Sequence, residues 1–269
     1  MNTPTDYPPN LTQENAVLVS SCDSYADIWQ PFFQFFFKYW PDCPYPLYLM
    51  SNYKIYEDER VITLNVNKKT TWSDELQSAL DMIPAKRILY LQDDFFFNKT
   101  ANTEWIEKLF EKAEKHDAAY IKLIASVAKN QPFDNELESI PEYVLYRTVL
   151  QSALWKKQDL LSLLLPHENI WQFELNASIR SRMMSSHFLA IKSGLLSYPI
   201  SYYITAVVKG KVRYPARKLC EAHGIKLNTQ ARPVESYGEY MLYELKSRLY
   251  RLKIMVINLF RFISSSSTR

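Results

Sequence analysis

Glycine is scarce in this chain of 269 residues: Gly194, Gly210, Gly224 and Gly238 are all it has. No two stand close enough for G-x-G-x-x-G or a Walker A loop, and G-x-S-x-G is absent too. The Rossmann fingerprint, the P-loop and the nucleophile elbow are therefore excluded. Cysteine is as sparse. Cys22, Cys43 and Cys220 are an odd number without a C-x-x-C pair, which argues against a disulfide framework or zinc site and suits a reducing compartment. The histidines, His116, His167, His187 and His223, form no H-E-x-x-H. Met1 to Gln13 is polar and carries proline but no apolar core, unlike a secretory signal. No stretch reaches the ~18 uninterrupted apolar residues of a membrane-spanning helix. A cytoplasmic location is expected.

Apolar and aromatic residues, by contrast, are plentiful at 47% and 14%, enough to bury a sizeable core. The net charge of +3 is unevenly spread. The last 25 residues hold Lys246, Arg248, Arg251, Lys253, Arg261 and Arg269 and no acid, leaving 26 basic against 29 acidic residues elsewhere. The basicity belongs to a tail, so nucleic-acid binding is not expected of the body.

The most informative stretch runs from Arg87 to Phe97, Arg-Ile-Leu-Tyr-Leu-Gln-Asp-Asp-Phe-Phe-Phe. Its apolar run reads as a buried strand that stops at Asp93 and Asp94 and returns at once to phenylalanine. Carboxylates seldom sit among apolar residues unless paired, hydrogen-bonded or bound to a metal. The pair reads either as a cation site, since carboxylate oxygens suit hard divalent ions that in turn hold phosphates, or as a polar strand end whose acids cap a turn.

Around this strand the chain alternates. Ala16–Ser20 reads as a strand leading into Ser21-Cys22-Asp23. A helix follows over Asp27–Trp40, so rich in phenylalanine that it should be a buried layer. Leu47–Met50 and Val61–Val66 are strands, and Ser73 is placed to cap a helix ending near Ile83. After the acid pair come a helix from Asn102 or Thr103 to His116 and a strand over Ala118–Ile124. Gln131–Pro141 reads as an acidic loop, a lid or a solvated excursion. Tyr143–Arg147 and Val149–Leu154 suggest a hairpin, Leu160–Leu165 and Ile170–Met184 helices, and Phe188–Ile191 and Tyr202–Val208 strands. The order predicts an α/β fold with a mixed, mostly parallel sheet flanked by helices. Its expected divisions are a flexible segment 1–15, a catalytic domain 16–240, and a basic amphipathic helix and tail 241–269. On that helix Leu249, Leu252, Met255, Val256 and Leu259 share one face, while Ile254 and Ile257 intrude on the polar side. Such a helix suits an anionic membrane surface, or docks on the domain or another subunit.

The end of the first strand at Ser21-Cys22-Asp23, the strand Leu89-Tyr-Leu-Gln-Asp-Asp94 and the segment Trp171-Gln-Phe-Glu174 occur in the order found in a known family. The chain resembles the nucleotide-sugar glycosyltransferases of the GT-A type, most of all the small bacterial enzymes of capsule and lipopolysaccharide synthesis. The resemblance implies a nucleotide-sugar donor and a glycan or lipid-linked glycan acceptor. It also implies Mn²⁺ or Mg²⁺ held by Asp94, the last position of the family's D-x-D motif. Asp93 matches the middle position, while Gln92 stands where the first Asp is usual and brings no charge. Ser21 and Asp23 match the donor base and ribose contacts, although Asp23 also reads as a helix cap. Lys211 or Arg213, beyond the strand ending at Val208, would add a positive contact, or belong to a solvated strand end. Glu174, beside Trp171 and Phe173, matches the catalytic base, with a pKa raised by its surroundings, or is a helix-surface acid with Trp171 beneath. Asp159 and Glu168 are next in line, and His187 is a late metal ligand or a core residue. Two other classes stand beside this one. A metal-dependent nucleotidyltransferase or phosphodiesterase would need further converging acids. A non-catalytic membrane-surface adaptor would bind no nucleotide. A peripheral position at the inner face of the cell membrane, through residues 245–263, is the expectation for the tail.

Overall fold

The computed structural model describes residues 14–67, 71–124, 130–203 and 205–266. Along the chain run β1 (Asn15–Ser20), α1 (Ala26–Tyr39), β2 (Leu47–Ser51), β3 (Ile62–Asn65), α2 (Trp72–Met82), β4 (Arg87–Gln92) and β5 (Phe96–Lys99). They are followed by α3 (Thr103–Lys115), β6 (Ala118–Lys122), β7 (Gln131–Pro132), β8 (Leu137–Ser139), β9 (Ala153–Lys156), α4 (Lys157–Leu163) and α5 (Ile170–Arg180). Last come β10 (His187–Ile191), β11 (Ser201–Tyr203), β12 (Val207–Val208), β13 (Lys211–Val212), α6 (Tyr214–Ala222) and α7 (Tyr237–Ser266).

A nine-stranded sheet in the order β3-β2-β1-β4-β9-β6-β10-β8-β7 carries the fold. β3, β2, β1 and β4 are parallel neighbours, as are β6 and β10. β9 lies antiparallel between β4 and β6, and β8 antiparallel between β10 and β7. All strands but β9 and β8 thus point one way, which is the mixed, mostly parallel sheet expected. Alternate residues of the central strands feed two cores. Val17, Val19, Leu89 and Leu91 pack with α1 and α3, and Ala16, Leu18, Ile88 and Tyr90 with α2, α4 and α5. Both faces being covered, these strands read as apolar runs rather than alternating ones. At the amino end of β4 the buried Arg87 guanidinium donates to the carbonyls of Ala118 and Ala113, each at 2.9 Å, and to Glu114. It thereby pins β4 to α3 and β6.

α1 is the buried aromatic layer expected, with Phe32, Phe33, Phe35 and Phe36 fully enclosed. It packs on β5, a strand that sequence reading did not separate from the acid pair: Phe96 meets Phe35 and Phe97 meets Phe36, with ring centres 5.3 Å apart in each case. Other segments differ from expectation for local reasons. Ser73 lies inside α2, whose cap is Thr71, and its hydroxyl accepts the Glu168 N–H. Gln131–Pro141 forms the edge pair β7–β8 rather than a lid, with Asp134 and Glu136 ion-paired to Lys112 of α3. The expected hairpin over Tyr143–Leu154 is mostly turn. Side chains satisfy its backbone in place of a ladder: the Thr148 N–H donates to Ser178 at 3.2 Å and the Leu150 N–H to Glu174 at 2.8 Å. The strand expected over Tyr202–Val208 divides at Thr205, held at φ +54°, into β11 and β12. α6, opened by Pro215 in its first turn, was not anticipated. Of the segment 1–15, residues 1–13 lie outside the described residues, while Asn15 opens β1. At the other end α7 runs to Ser266, and residues 267–269 lie outside the described residues.

Candidate active site

β1 and β4 are parallel neighbours whose onward connections diverge. β2 lies on one side of the pair, and the antiparallel half of the sheet on the other. Ligands of open α/β sheets bind in the crevice beyond the carboxyl ends of such strands. Here that crevice is a cavity of about 790 Å³. Ser20, Ser21 and Cys22 enter it from the end of β1, and Gln92, Asp93 and Asp94 from the end of β4. Glu75 of α2 and Tyr243 of α7 also line it, together with Tyr25, Trp72 and Trp171. The turn between β12 and β13 closes another side with Lys209 and Gly210. Both turn residues have positive φ, +51° and +75°, as the tight two-residue hairpin requires. Lys209 is the only Lys or Arg lining the cavity among the described residues.

The two acids are buried and differ in partners. Asp93 accepts a very short hydrogen bond from the Ser21 hydroxyl, which in turn accepts the Trp29 indole N–H at 2.6 Å. Burial, reinforced by the neighbouring Asp94 charge, pushes the Asp93 pKa well above the usual carboxylate range. Asp94 Oδ2 lies within hydrogen-bonding reach of the Thr205 hydroxyl, whose single proton is shared with the Val207 carbonyl at 2.8 Å. Burial raises Asp94 to about 6, against the lowering effect of Thr205 and the Val207 N–H. Both carboxyls are thus harder to ionise than exposed acids, and the charge of Asp94 weighs against ionising Asp93. Its Oδ1 is buried and has no hydrogen-bond partner among the described residues. A buried carboxylate oxygen left unmatched is costly, and here it belongs to a residue that lines the cavity.

The other sequence-predicted residues are placed as follows. Asp23 does not line the cavity. Its carboxylate accepts the N–H groups of Asn52, Tyr53 and Lys54 at 3.0–3.1 Å, while Asn52 Oδ1 accepts the Asp23 N–H. Asp23 thus ties the carboxyl ends of β1 and β2 together. Lys211 forms an ion pair with Glu239 at 2.6 Å, and its neighbours Lys209 and Gly210 line the cavity instead. Arg213 is buried between Glu235 and Glu244. Glu174 lies outside the cavity lining, its carboxylate accepting the Leu150 N–H at 2.8 Å. Burial raises its pKa, with that N–H and the charge of Lys122 opposing. Trp171 does not cover it and is 73% exposed at the cavity. Glu168 is held by Arg180. His187 opens β10 at the amino end of the sheet, away from the acids, against Phe133.

Sequence reading missed Thr205, Lys209, Glu75, Tyr243 and Arg232. Arg232 clasps Asp27 through two 2.9 Å bonds and lies 4.3 Å over the Tyr25 ring, and its charge acts on both Asp93 and Asp94. Only Lys209-Gly210, two residues between Val-Val and Lys-Val, carried a local signal, that of a tight hairpin.

Among the described residues no three His, Cys, Asp or Glu side chains gather as a metal cage. Small hard cations are commonly held by one or two carboxylates together with substrate phosphates. The unpartnered Asp94 Oδ1 fits a cation completed in that way.

No protein-family model and no curated protein matches the chain. Among solved structures it is similar to residues 1–349 of S. aureus TarS, with 13% identity over 72% of this chain and 60% of that one and a TM-score of 0.46. The same TarS fragment in complex with UDP matches over 71% and 60%, again at 13% identity and a TM-score of 0.46. A UDP-glucose pyrophosphorylase complexed with UDP-glucose matches at 6% identity over 71% of this chain and 92% of that one, with a TM-score of 0.45. The chain spans about 60% of the TarS fragment it matches. These are likenesses of chain path, and the site stands on its own residues.

Proposed function

We propose that the chain is a GT-A-type glycosyltransferase that moves a sugar from a nucleotide-sugar donor to a glycan acceptor, lipid-linked in bacterial surface-polysaccharide synthesis. The observation that carries this reading is Asp94, a buried carboxylate with an unpartnered oxygen in an aromatic-walled cavity at the carboxyl ends of β1 and β4. Glycosyl transfer expels a nucleoside diphosphate, and negative charge grows on the leaving oxygens. A divalent cation, Mn²⁺ or Mg²⁺, would offset that charge as a Lewis acid. Asp94 would hold it, and Lys209 would face the phosphates. Ser21 and Asp93 would form the floor beneath the donor. Trp72, Trp171, Tyr25 and Tyr243 offer flat apolar faces to base and sugars. An inverting transfer also needs a carboxylate to take the acceptor proton. Glu174 holds that place by resemblance, and Glu75 by position, since Glu75 lines the cavity.

A nucleotidyltransferase working through two metals needs further carboxylates beside Asp93 and Asp94, and no such cluster exists among the described residues. The test is turnover: UDP-, GDP- and CMP-sugars on one side and nucleoside triphosphates with sugar phosphates on the other, with Mn²⁺ or Mg²⁺. Release of nucleoside diphosphate or monophosphate from one sugar nucleotide supports the transferase. Pyrophosphate release from a triphosphate replaces it with the nucleotidyltransferase, and silence in both arms leaves the adaptor.

A further inference from the structure

α7 rests on the domain through the side that its sequence marks as polar. Among its described residues Ile254 and Asn258 are buried. Asn258 Oδ1 accepts the Leu145 N–H at 3.2 Å, the Tyr250 and Tyr146 hydroxyls meet at 3.0 Å, and Glu244 pairs with Arg213 at 2.9 Å. The two isoleucines that seemed to intrude on the polar face lie on this side, Ile254 buried and Ile257 half-buried. The apolar stripe is left outward. Leu242, Leu245, Leu249, Leu252, Val256 and Leu259 are each 47–61% exposed. They recur at alternating steps of three and four, so they form one continuous seam along several turns.

That spacing is also the seam of a coiled coil, which makes a second copy of the chain the nearest rival occupant. The flanking charges decide between them. With Leu242 and Leu249 at the a positions, Lys246 and Lys253 fall at e and Arg248 at g, all exposed. A parallel pair sets Arg248 against Lys253 of the other copy, and an antiparallel pair also sets basic against basic. No acid occurs from residue 245 onward to relieve this. A surface of uniform negative charge satisfies every one of these residues while it takes up the leucines.

We infer that α7 seats the Leu242–Leu259 stripe in the surface of an anionic lipid bilayer, with Lys246, Arg248 and Lys253 at the headgroups. Tyr243, on the same helix, lines the acid-pair cavity, so a molecule embedded in that bilayer lies within a few helical turns of the site. Vesicle binding needs no donor and no catalysis, so it is independent of the transferase reading.

The experiment is sedimentation of the full chain with vesicles of phosphatidylcholine alone or with about one third phosphatidylglycerol, at low and high salt. Wild type is compared with Leu249→Glu/Leu252→Glu and with Lys246→Gln/Arg248→Gln/Lys253→Gln. The stripe is already exposed, so both variants should keep the wild-type circular dichroism and melting temperature. Binding should require the anionic lipid, weaken with salt, and fall about tenfold or more in each variant. Absence of binding, or equal binding to neutral vesicles, overturns the inference. So does a dimer in sedimentation velocity that the Leu→Glu variant dissolves, which assigns the stripe to a second copy.

Discussion

Asp93 and Asp94 are adjacent in sequence, yet the fold gives them different work. Asp93 spends its carboxyl on Ser21 and is pushed well above the usual carboxylate range by burial, whereas Asp94 keeps one oxygen unmatched. A carboxylate raised from 3.8 to about 6 ionises in the unfolded chain before it does in the folded one. Stability without cation should therefore be greatest below the unfolded value and fall as pH rises through about 6. Asp94→Asn should flatten that part of a melting-temperature profile, leaving the slope that belongs to Asp93. Mn²⁺ should raise the wild-type melting temperature above pH 6 and leave it unchanged near pH 5, where Asp94 is protonated; equal stabilisation at both values would remove Asp94 as the ligand. The base is a second question at this scale. If Glu75 takes the acceptor proton, Glu75→Gln lowers kcat by about 100-fold or more while KM is kept. Glu174→Gln, remote from the cavity lining, should then stay within about threefold, and nucleoside diphosphate release reads both. The acid pair was legible because two carboxylates interrupt an apolar run. Thr205, Glu75 and Tyr243 were not, since each reaches the cavity from an element remote in sequence and is unremarkable among its own neighbours.

At the level of elements, the parallel strands were legible because burial on both faces turns them into plain apolar runs. The same cue misled at Val149–Leu154. There, side chains from elsewhere satisfy the backbone, and pairing starts only at Ala153. It also failed at Tyr202–Val208, where the left-handed turn at Thr205 ends one strand and starts another. Left-handed backbone is costly for a residue with a Cβ, and Thr205 bears it at the point where its hydroxyl reaches Asp94. The β12–β13 hairpin offers a cleaner test of such backbone. A Cβ added at Gly210 meets nothing within 4 Å, so Gly210→Ala should act through its φ of +75° alone. The expected loss is about 1 kcal/mol by denaturant unfolding. Nucleotide affinity should fall as well, because the distorted turn carries Lys209. Undiminished affinity in this variant would detach Lys209 from the phosphates.

On the scale of the whole molecule, the chain presents two surfaces along one helix: Tyr243 at the cavity, and an apolar stripe turned outward. The mixed, mostly parallel sheet and the helices that flank it followed from the alternation of apolar runs and helical stretches. The apolar face of the terminal helix was legible too, although the side on which it docks was not, because docking is set by Leu145 and Tyr146 in a turn that sequence reading took for a strand. The central claim is that the cavity at Asp94 takes a nucleotide diphosphate through a cation. The most direct measurement is a thermal-shift series with UDP, GDP, CMP and their sugar conjugates, with and without Mn²⁺, for wild type and Asp94→Ala. A rise of several degrees for one base, dependent on Mn²⁺ and lost in the variant, is the predicted result. A well-folded protein whose melting temperature responds to no nucleotide, with or without the metal, would contradict it.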